Sequence, residues 1–549
     1  MKTFKKVAVL VVAIAMMLTL TIPALAVEPV ETHTITINNS NDGHTYGAYQ
    51  VFDGQISDKV LVNIEWGTAV QNPQTLLTDL KAGTYETLDF TACKTALDVN
   101  DQLKDENVSV DDLNAFAKVV GTYFVKNNIS ATAVATYNTT NYTVDVATGY
   151  YLVKDDAKVT GVDSTTLYML DVAKDITMNP KSDVPSVVKK VLEDTDVTDY
   201  SNLDVDYNDV ADWDMLQTKA FRLYGTIPAN FEELKSYETY KFIFHDTYSK
   251  GISVEDNLNY TVSYRINGVE TTLDNSTFVL TQDKANRTLT FDCADLKAVL
   301  GDDIYKNPTI AITYDAVLNK NAVVGLPGNP NEVYLEFSND AYNSKAEGDL
   351  QTGEEHPTGQ TEKDVVIVFT YALGGNKVDA DTKDTLQGAE FILKNANGEF
   401  AVVKNNFFQN WTTNKADATT LLSDENGNFK VIGLDADTYF LKETKAPAGY
   451  NMLQNDIELV ISSSYNDNQI YKQDWNTFVA TDALTTINLT VDGTKTEAPN
   501  GVGVLDIENS KGSTLPGTGG MGTTIVYILS ALLIVVPAII LIRKKRSEV

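Results

Sequence analysis

The chain has 549 residues, 43% of them hydrophobic, and carries 75 Asp and Glu against 43 Lys and Arg, a formal net charge of −32. That length exceeds what one hydrophobic core organises and points to two to four domains. So acidic a surface argues against nucleic acid or an anionic membrane as partner and suits a soluble, self-repelling exterior.

At the start, Lys2, Lys5 and Lys6 precede an apolar stretch over 7–22 and the small-residue site Ala24-Leu25-Ala26, which together make residues 1–26 a secretory signal peptide. Outside the cell a domain of this kind often relies on disulfides, yet Cys93 and Cys293 are the only cysteines and fall in different predicted domains. Some other device must stabilise the chain. The histidines (His33, His44, His245, His356) are scattered, with no metal-ligand spacing, and neither metal nor cofactor is expected.

Residues 32–38 alternate as a strand does. Between Pro73 and Asn127 the apolar spacing turns helical, in Leu76-Leu77-Leu80 and in Leu113, Phe116, Val119, Val120 and Phe124. Ser109 is a natural N-cap there, with Asp111 and Asp112 favoured by the helix dipole. Strand patterns resume at 141–146, 150–153 and 166–178, so residues 27–180 read as a β-sandwich with a helical insertion. At its end Ile176, Met178 and Pro180 share one parity, and Thr177, Asn179 and Lys181 the other. This puts Lys181 on the polar side, just after a proline that breaks the ladder.

A second domain covers 185–350. In it Tyr240, Phe242, Phe244 and Asp246 share one strand face, as do Val333, Leu335, Phe337 and Asn339. An acid and a carboxamide thus end apolar, inward rows, where burial without partners costs on the order of 2–7 kcal/mol each. Val188, Lys190 and Leu192 share a face and offer a lysine to the same interior; Lys189 is its rival on the opposite parity. A Gly-, Glu-, Thr- and Gln-rich linker over 347–363 leads to a third domain over 364–510. There Val365, Ile367, Phe369, Tyr371 and Leu373 are in phase with Lys377, unless Gly374-Gly375 forms a bulge. Tyr439, Leu441 and Glu443 share a face, as do Leu505, Ile507 and Asn509.

The chain closes with Leu515-Pro516-Gly517-Thr518-Gly519, an uncharged apolar run over 525–542 long enough to cross a bilayer, and a basic tail over 543–549 that would stay cytoplasmic.

A lysine, an acid and an asparagine in one apolar interior can react. Desolvation moves the amine toward its neutral, nucleophilic form and the acid toward its protonated form. The amine then attacks the carboxamide, the acid shuttles a proton, ammonia leaves and an amide remains.

Several stretches resemble a known family. The C-terminal arrangement resembles the LPxTG cell-wall sorting signal of Gram-positive surface proteins, which implies that a sortase cuts between Thr518 and Gly519 and holds the chain as a thioester at Thr518. The stretch ending Pro180-Lys181 resembles the pilin motif of backbone pilins in its Pro-Lys core, although Val172 and Asn179 stand where that motif has Trp and Tyr. Tyr439-Phe440-Leu441-Lys442-Glu443-Thr444-Lys445-Ala446-Pro447-Ala448-Gly449-Tyr450 resembles the E-box of CnaB-type immunoglobulin-like domains. That likeness implies a Lys377–Asn509 isopeptide bond with Glu443 as the acid. His245-Asp246-Thr247 and Phe337-Ser338-Asn339-Asp340 are similar to the pilin family's second domain, implying a Lys190–Asn339 bond assisted by Asp246. No such bond is expected in the first domain.

Taken together, the chain resembles the SpaA- or FimA-like major (backbone) pilins of Gram-positive bacteria. The resemblance implies an all-β fold of tandem CnaB-type sandwiches and a structural shaft subunit, not an enzyme beyond its single-turnover self-crosslinking. Its implied partners are pilin-specific and housekeeping sortases, copies of itself joined through Lys181, minor pilins, peptidoglycan and host surfaces. The alternative is a monomeric wall-anchored adhesin or an accessory pilin at tip or base.

Overall fold

The computed structural model describes residues 31–546 except 41, 59, 106, 158–166, 180–183, 194–206, 229, 230, 342, 351–355, 466–483, 492, 499 and 514–521. Residues 1–26, expected to be a signal peptide, Lys181 and the motif Leu515-Pro516-Gly517-Thr518-Gly519 therefore lie outside the described residues. What is described is mostly β, in several sheets, with few helices.

The N-terminal unit stacks three layers. Strands β1 (Thr32–Ile37) and β2 (Tyr46–Ser57) lie in different sheets, and helices α1 (Pro73–Ala82), α2 (Ala96–Leu103) and α3 (Val110–Lys126) are inserted after them. β3 (Tyr142–Ala147) joins β1, and β4 (Gly149–Asp155) joins β2. Ser109 caps α3 by accepting from the Asp112 amide at 3.0 Å, as the residue pattern requires. β4 does not alternate, because it is buried on both sides. Tyr151 and Val153 meet Ile35, Val144 and Val146 of the first sheet, while Leu152 meets Leu76, Phe116, Val120 and Phe124 under the helices. The last strand of the unit, β5 (Ile176–Met178), runs parallel to β1, and Asn179 accepts a hydrogen bond from the Asn38 side chain at 2.8 Å. The chain is thus held against the first sheet up to the residue before Pro180.

The second unit is a sandwich of two sheets. One contains β6 (Val187–Leu192), and a short strand β7 (Val210–Asp212) crosses to the other. β8 (Lys219–Thr226) pairs with β6, β9 (Phe242–Tyr248) lies in the opposing sheet, β10 (Thr309–Leu318) pairs with β8, and β11 (Asn329–Ser338) pairs with β9. Phe221, Leu223, Ile310 and Ile312 from one sheet meet Phe242, Phe244, Leu335 and Phe337 from the other.

β12 (Asp364–Phe369) is the first departure from the sequence pattern. Periodicity assigns it to the third unit, yet it pairs with β11 and β7 of the second. Val366 and Val368 fill the second core, and Ile367 and Phe369 the third. A strand buried on both faces carries no alternation to reveal its allegiance. Within the stretch read as a linker, Thr358–Gln360 likewise pairs with β11.

Past Thr370 the chain changes sheet. β13 (Tyr371–Asp379), β14 (Thr438–Lys445), β15 (Ile457–Tyr465) and β16 (Val502–Asn509) belong to the third unit's sheet, in which β13 and β16 run parallel. Gly374 and Gly375 form no bulge: their pairing with Val504 and Leu505 is continuous. Gly375 is required by the Phe429 ring, which lies 2.2 Å from where a Cβ would stand.

At the C-terminus, helix α4 (Gly522–Arg546) contains the span Ile525–Arg546, of mean hydropathy 3.0, unburied along its length and ending in four basic residues. At 1.5 Å per residue this helix is long enough to cross a bilayer's hydrocarbon core.

Candidate functional site: two buried lysine–acid–asparagine clusters

In the third unit the residues that parity selects do converge. Lys377 on β13, Glu443 on β14 and Asn509 on β16 are each at most 2% exposed. The alternation of β14 turns Tyr439, Leu441 and Glu443 inward, and that of β16 turns Leu505, Ile507 and Asn509 inward. The Asn509 amide nitrogen donates to both Glu443 oxygens, at 3.0 and 3.2 Å, and the Leu453 amide donates to Glu443 Oε2 at 2.7 Å. Lys377 Nζ donates to the Ile507 carbonyl at 2.7 Å. Burial pulls the Lys377 amine down from 10.5 to about 8, against the opposing pull of Glu443, so a useful fraction is neutral near pH 7. Asn509 Oδ1 is buried with no hydrogen-bond partner.

The second unit holds a similar cluster, but two of the three residues expected there are replaced. Asp246 is at the centre as parity requires, with no solvent exposure. Its lysine is Lys189 and not Lys190. β6 turns Val187, Lys189 and Val191 inward, and Lys189 Nζ pairs with Asp246 Oδ2, whereas Lys190 is partly exposed and pairs with Asp209. Both rows of that strand are apolar apart from the lysine, so parity could not choose between them. The asparagine is Asn331 and not Asn339. Asp246 lies opposite Val333, and Tyr248 opposite Asn331, which puts Asp246 and Asn331 on one face as diagonal neighbours. Asn339 is buried, but it lies six residues from Val333, roughly 20 Å along the sheet. Asn331 shares the parity of Val333, Leu335 and Phe337, so the signal was present; the register needed to read it was not.

A tyrosine that the sequence reading did not single out completes this cluster. Tyr314 on β10 donates to Asp246 Oδ2 at 2.9 Å and accepts from Asn331 Nδ2 at 2.8 Å and Lys189 Nζ at 3.2 Å. The lysine ammonium lies 5.1 Å from the Phe221 ring centre and 5.4 Å from that of Tyr314. Desolvation in this aromatic enclosure lowers Lys189 and raises Asp246, each opposed by the other's charge, which favours a neutral amine beside a neutral acid. Asp246 Oδ1 and Asn331 Oδ1 are buried without hydrogen-bond partners.

In the N-terminal unit Lys154 is buried and pairs with Asp156, while Asp155 holds His44 at 2.6 Å. Among the described residues no group of three or more His, Cys, Asp or Glu is placed to hold a metal.

Comparison with known proteins agrees with this architecture. Residues 372–476, which include Lys377 and Glu443, match the family described as SpaA, prealbumin-like fold domain. The chain is 27% identical over 277 residues to the trypsin-resistant surface T6 protein of Streptococcus pyogenes serotype M6, a match covering 43% of this chain and 48% of that protein. It thus spans about half the length of that relative. Among solved structures, the T6 backbone pilin of serotype M6 Streptococcus pyogenes, described as a modular three-domain structure, matches 89% of this chain and 100% of its own at a TM-score of 0.53 and 15% identity. The two share a fold. The full-length major pilin SpaD from Corynebacterium diphtheriae matches 88% of this chain and 98% of its own, with a TM-score of 0.44 and 14% identity.

Proposed function

We propose that this chain is a shaft subunit of a covalent surface pilus anchored in the wall of a Gram-positive bacterium. The observation that carries the reading is the pair of buried lysine–acid–asparagine clusters, each bringing together strands distant in sequence. Lys377 and Asn509, with Glu443 as acid, form one intramolecular amide; Lys189 and Asn331, with Asp246 as acid, form the other. Each releases one ammonia. The three-domain fold shared with the T6 backbone pilin and the sequence similarity to the T6 surface protein support the same reading.

Between subunits, a pilin-specific sortase takes Thr518 as a thioester, and Lys181 of another copy attacks it. Thr518 lies nine residues beyond Asn509, and the chain stays bonded to the third unit as far as Gly512, whose amide donates to the Gly449 carbonyl. Helix α4 keeps the unprocessed chain at the membrane, and a housekeeping sortase passes the finished fibre to peptidoglycan. Minor pilins share the same assembly route.

Co-expression with the sortase tests this. Wild type should give an SDS-resistant ladder of multimers, and Lys181→Ala a single band. A ladder that survives the substitution reassigns the nucleophile. A wild-type chain that stays a single wall-linked species is a monomeric adhesin or accessory pilin instead.

A further inference from the structure

The two clusters reach the departing nitrogen differently. In the third unit Glu443 accepts directly from Asn509 Nδ2, so the carboxyl itself is in contact with the departing nitrogen. In the second unit Asp246 is one methylene shorter, and the group in contact with Asn331 Nδ2 is the hydroxyl of Tyr314. That hydroxyl bridges the carboxyl and the amide, at 2.9 and 2.8 Å, inside an enclosure where Lys189, Asp246, Tyr314 and Asn331 are all at most 1% exposed. Solvent is not at hand to supply a proton there.

We propose that Tyr314 is a catalytic residue of the second crosslink, relaying a proton from Asp246 to the nitrogen that leaves Asn331. The inference rests on the Lys189–Asn331 bond proposed above. Lys189 first gives a proton to Asp246, and the neutral Nζ attacks Cγ of Asn331, forming the Nζ–Cγ bond as the carbonyl π pair moves onto Oδ1. The amide nitrogen, now an amine, can accept a proton. With Asp246 now the proton donor and Nδ2 an acceptor, the Tyr314 hydroxyl turns from Asp246 toward Nδ2; Asp246 then passes its proton to the Tyr314 oxygen while Tyr314 passes its own to Nδ2. The Cγ–Nδ2 bond then breaks with its electron pair on nitrogen, the carbonyl re-forms and ammonia departs. The positively charged linking nitrogen returns one proton to Asp246, which ends as the neutral acid. Reactants and products balance in charge and in hydrogen. Tyr314 lies on β10, in the sheet of Lys189, whereas Asp246 and Asn331 lie in the other, so the relay forms only when the two sheets close on each other. This couples bond formation to completed folding.

The test follows crosslinking in time. The full chain is made by cell-free synthesis in the presence of detergent, quenched in denaturant at intervals, digested, and assayed for both crosslinked peptides by mass. Tyr314→Phe keeps the ring and removes the hydroxyl. It should slow the Lys189–Asn331 link by at least ~100-fold, the scale of a lost general acid, while the Lys377–Asn509 link forms at the wild-type rate and reports a folded chain. Fluorotyrosine at position 314 keeps both shape and hydroxyl but changes its acidity, and should alter the rate of the second-unit link alone. Wild-type kinetics in Tyr314→Phe, or a rate indifferent to fluorination, would overturn the relay. Absence of the Lys189–Asn331 peptide from wild type would instead remove the bond itself, and the relay with it.

Discussion

Two adjacent lysines on one strand meet opposite fates, and the difference is testable by mass. Lys189 is enclosed with Asp246, and Lys190 is partly solvated beside Asp209. Lys189→Ala and Asn331→Ala should each leave the purified chain one ammonia heavier than calculated for two bonds, whereas Lys190→Ala and Asn339→Ala should show both bonds; intact mass decides it. Lys377 gives a second prediction at this scale. In Asn509→Ala no third-unit amide can form, and the lysine stays a buried amine whose folded pKa, about 8, is below its ordinary 10.5. Below pH 8 it is charged in both states and its burial penalty is fully present. Between about 8 and 10.5 the unfolded chain keeps a proton that the folded chain has lost, so stability rises with pH by at most about 1.4 kcal/mol per unit. Chemical denaturation should therefore show the gap between Asn509→Ala and Asn509→Ala/Lys377→Met narrowing across that window. A constant gap would mean that the lysine is not desolvated.

At the scale of elements, β12 ties two units into one body. Its alternate residues serve different cores, so Val368→Ala and Ile367→Ala, each costing roughly 2–4 kcal/mol, should loosen different units. Hydrogen exchange should quicken mainly in the second unit for Val368→Ala and in the third for Ile367→Ala. The same junction is fixed by Asp212 at the end of β7. It accepts from the hydroxyls of Tyr371 at 3.0 Å and Ser463 at 2.7 Å, and also from that of Tyr465. Nearby, Asp214 accepts from Trp411 Nε1 at 2.7 Å and from the Asp435 amide at 3.0 Å. Asp212→Ala would leave three hydroxyls without that acceptor, at about 1–3 kcal/mol for each one that stays unsatisfied. It should broaden the distribution of angles between the second and third units in solution scattering, with both crosslinks intact.

For the whole molecule, the proposed bonds define where tension runs. Force applied at Lys181 and Thr518 follows the backbone to Lys189, crosses to Asn331, continues through β11 and β12 to Lys377, crosses to Asn509 and leaves. The 141 residues between Lys189 and Asn331 and the 131 between Lys377 and Asn509 are bypassed, and the N-terminal unit lies off the line. Each closure also restricts the unfolded chain, by about 4–5 kcal/mol if it behaves as a long-loop disulfide does. The larger gain is kinetic, since a bypassed loop cannot be drawn out. Pulled between 181 and 518, wild type should show no unfolding step of tens of nanometres. Asn331→Ala/Asn509→Ala should release roughly 50 and 45 nm, at about 0.35 nm per residue, and should be cut sooner by trypsin. Such steps in wild type would sink the load path.

What the residues determine unaided is whatever depends on local order. Parity placed Asp246, Glu443, Asn509 and Lys377 inward, spacing and caps placed α3, and a long apolar run with a basic end placed α4; periods of two and 3.6 belong to a single segment. The choice of Asn331 over Asn339 needed the register of β9 against β11, and the choice of Lys189 over Lys190 needed to know which apolar row of β6 meets the other sheet. The allegiance of β12 was hidden because both its faces are buried, and Tyr314 came to light only when two sheets were laid face to face. Those are properties of pairs of segments far apart in the chain, and their energies are settled by packing that no single stretch contains.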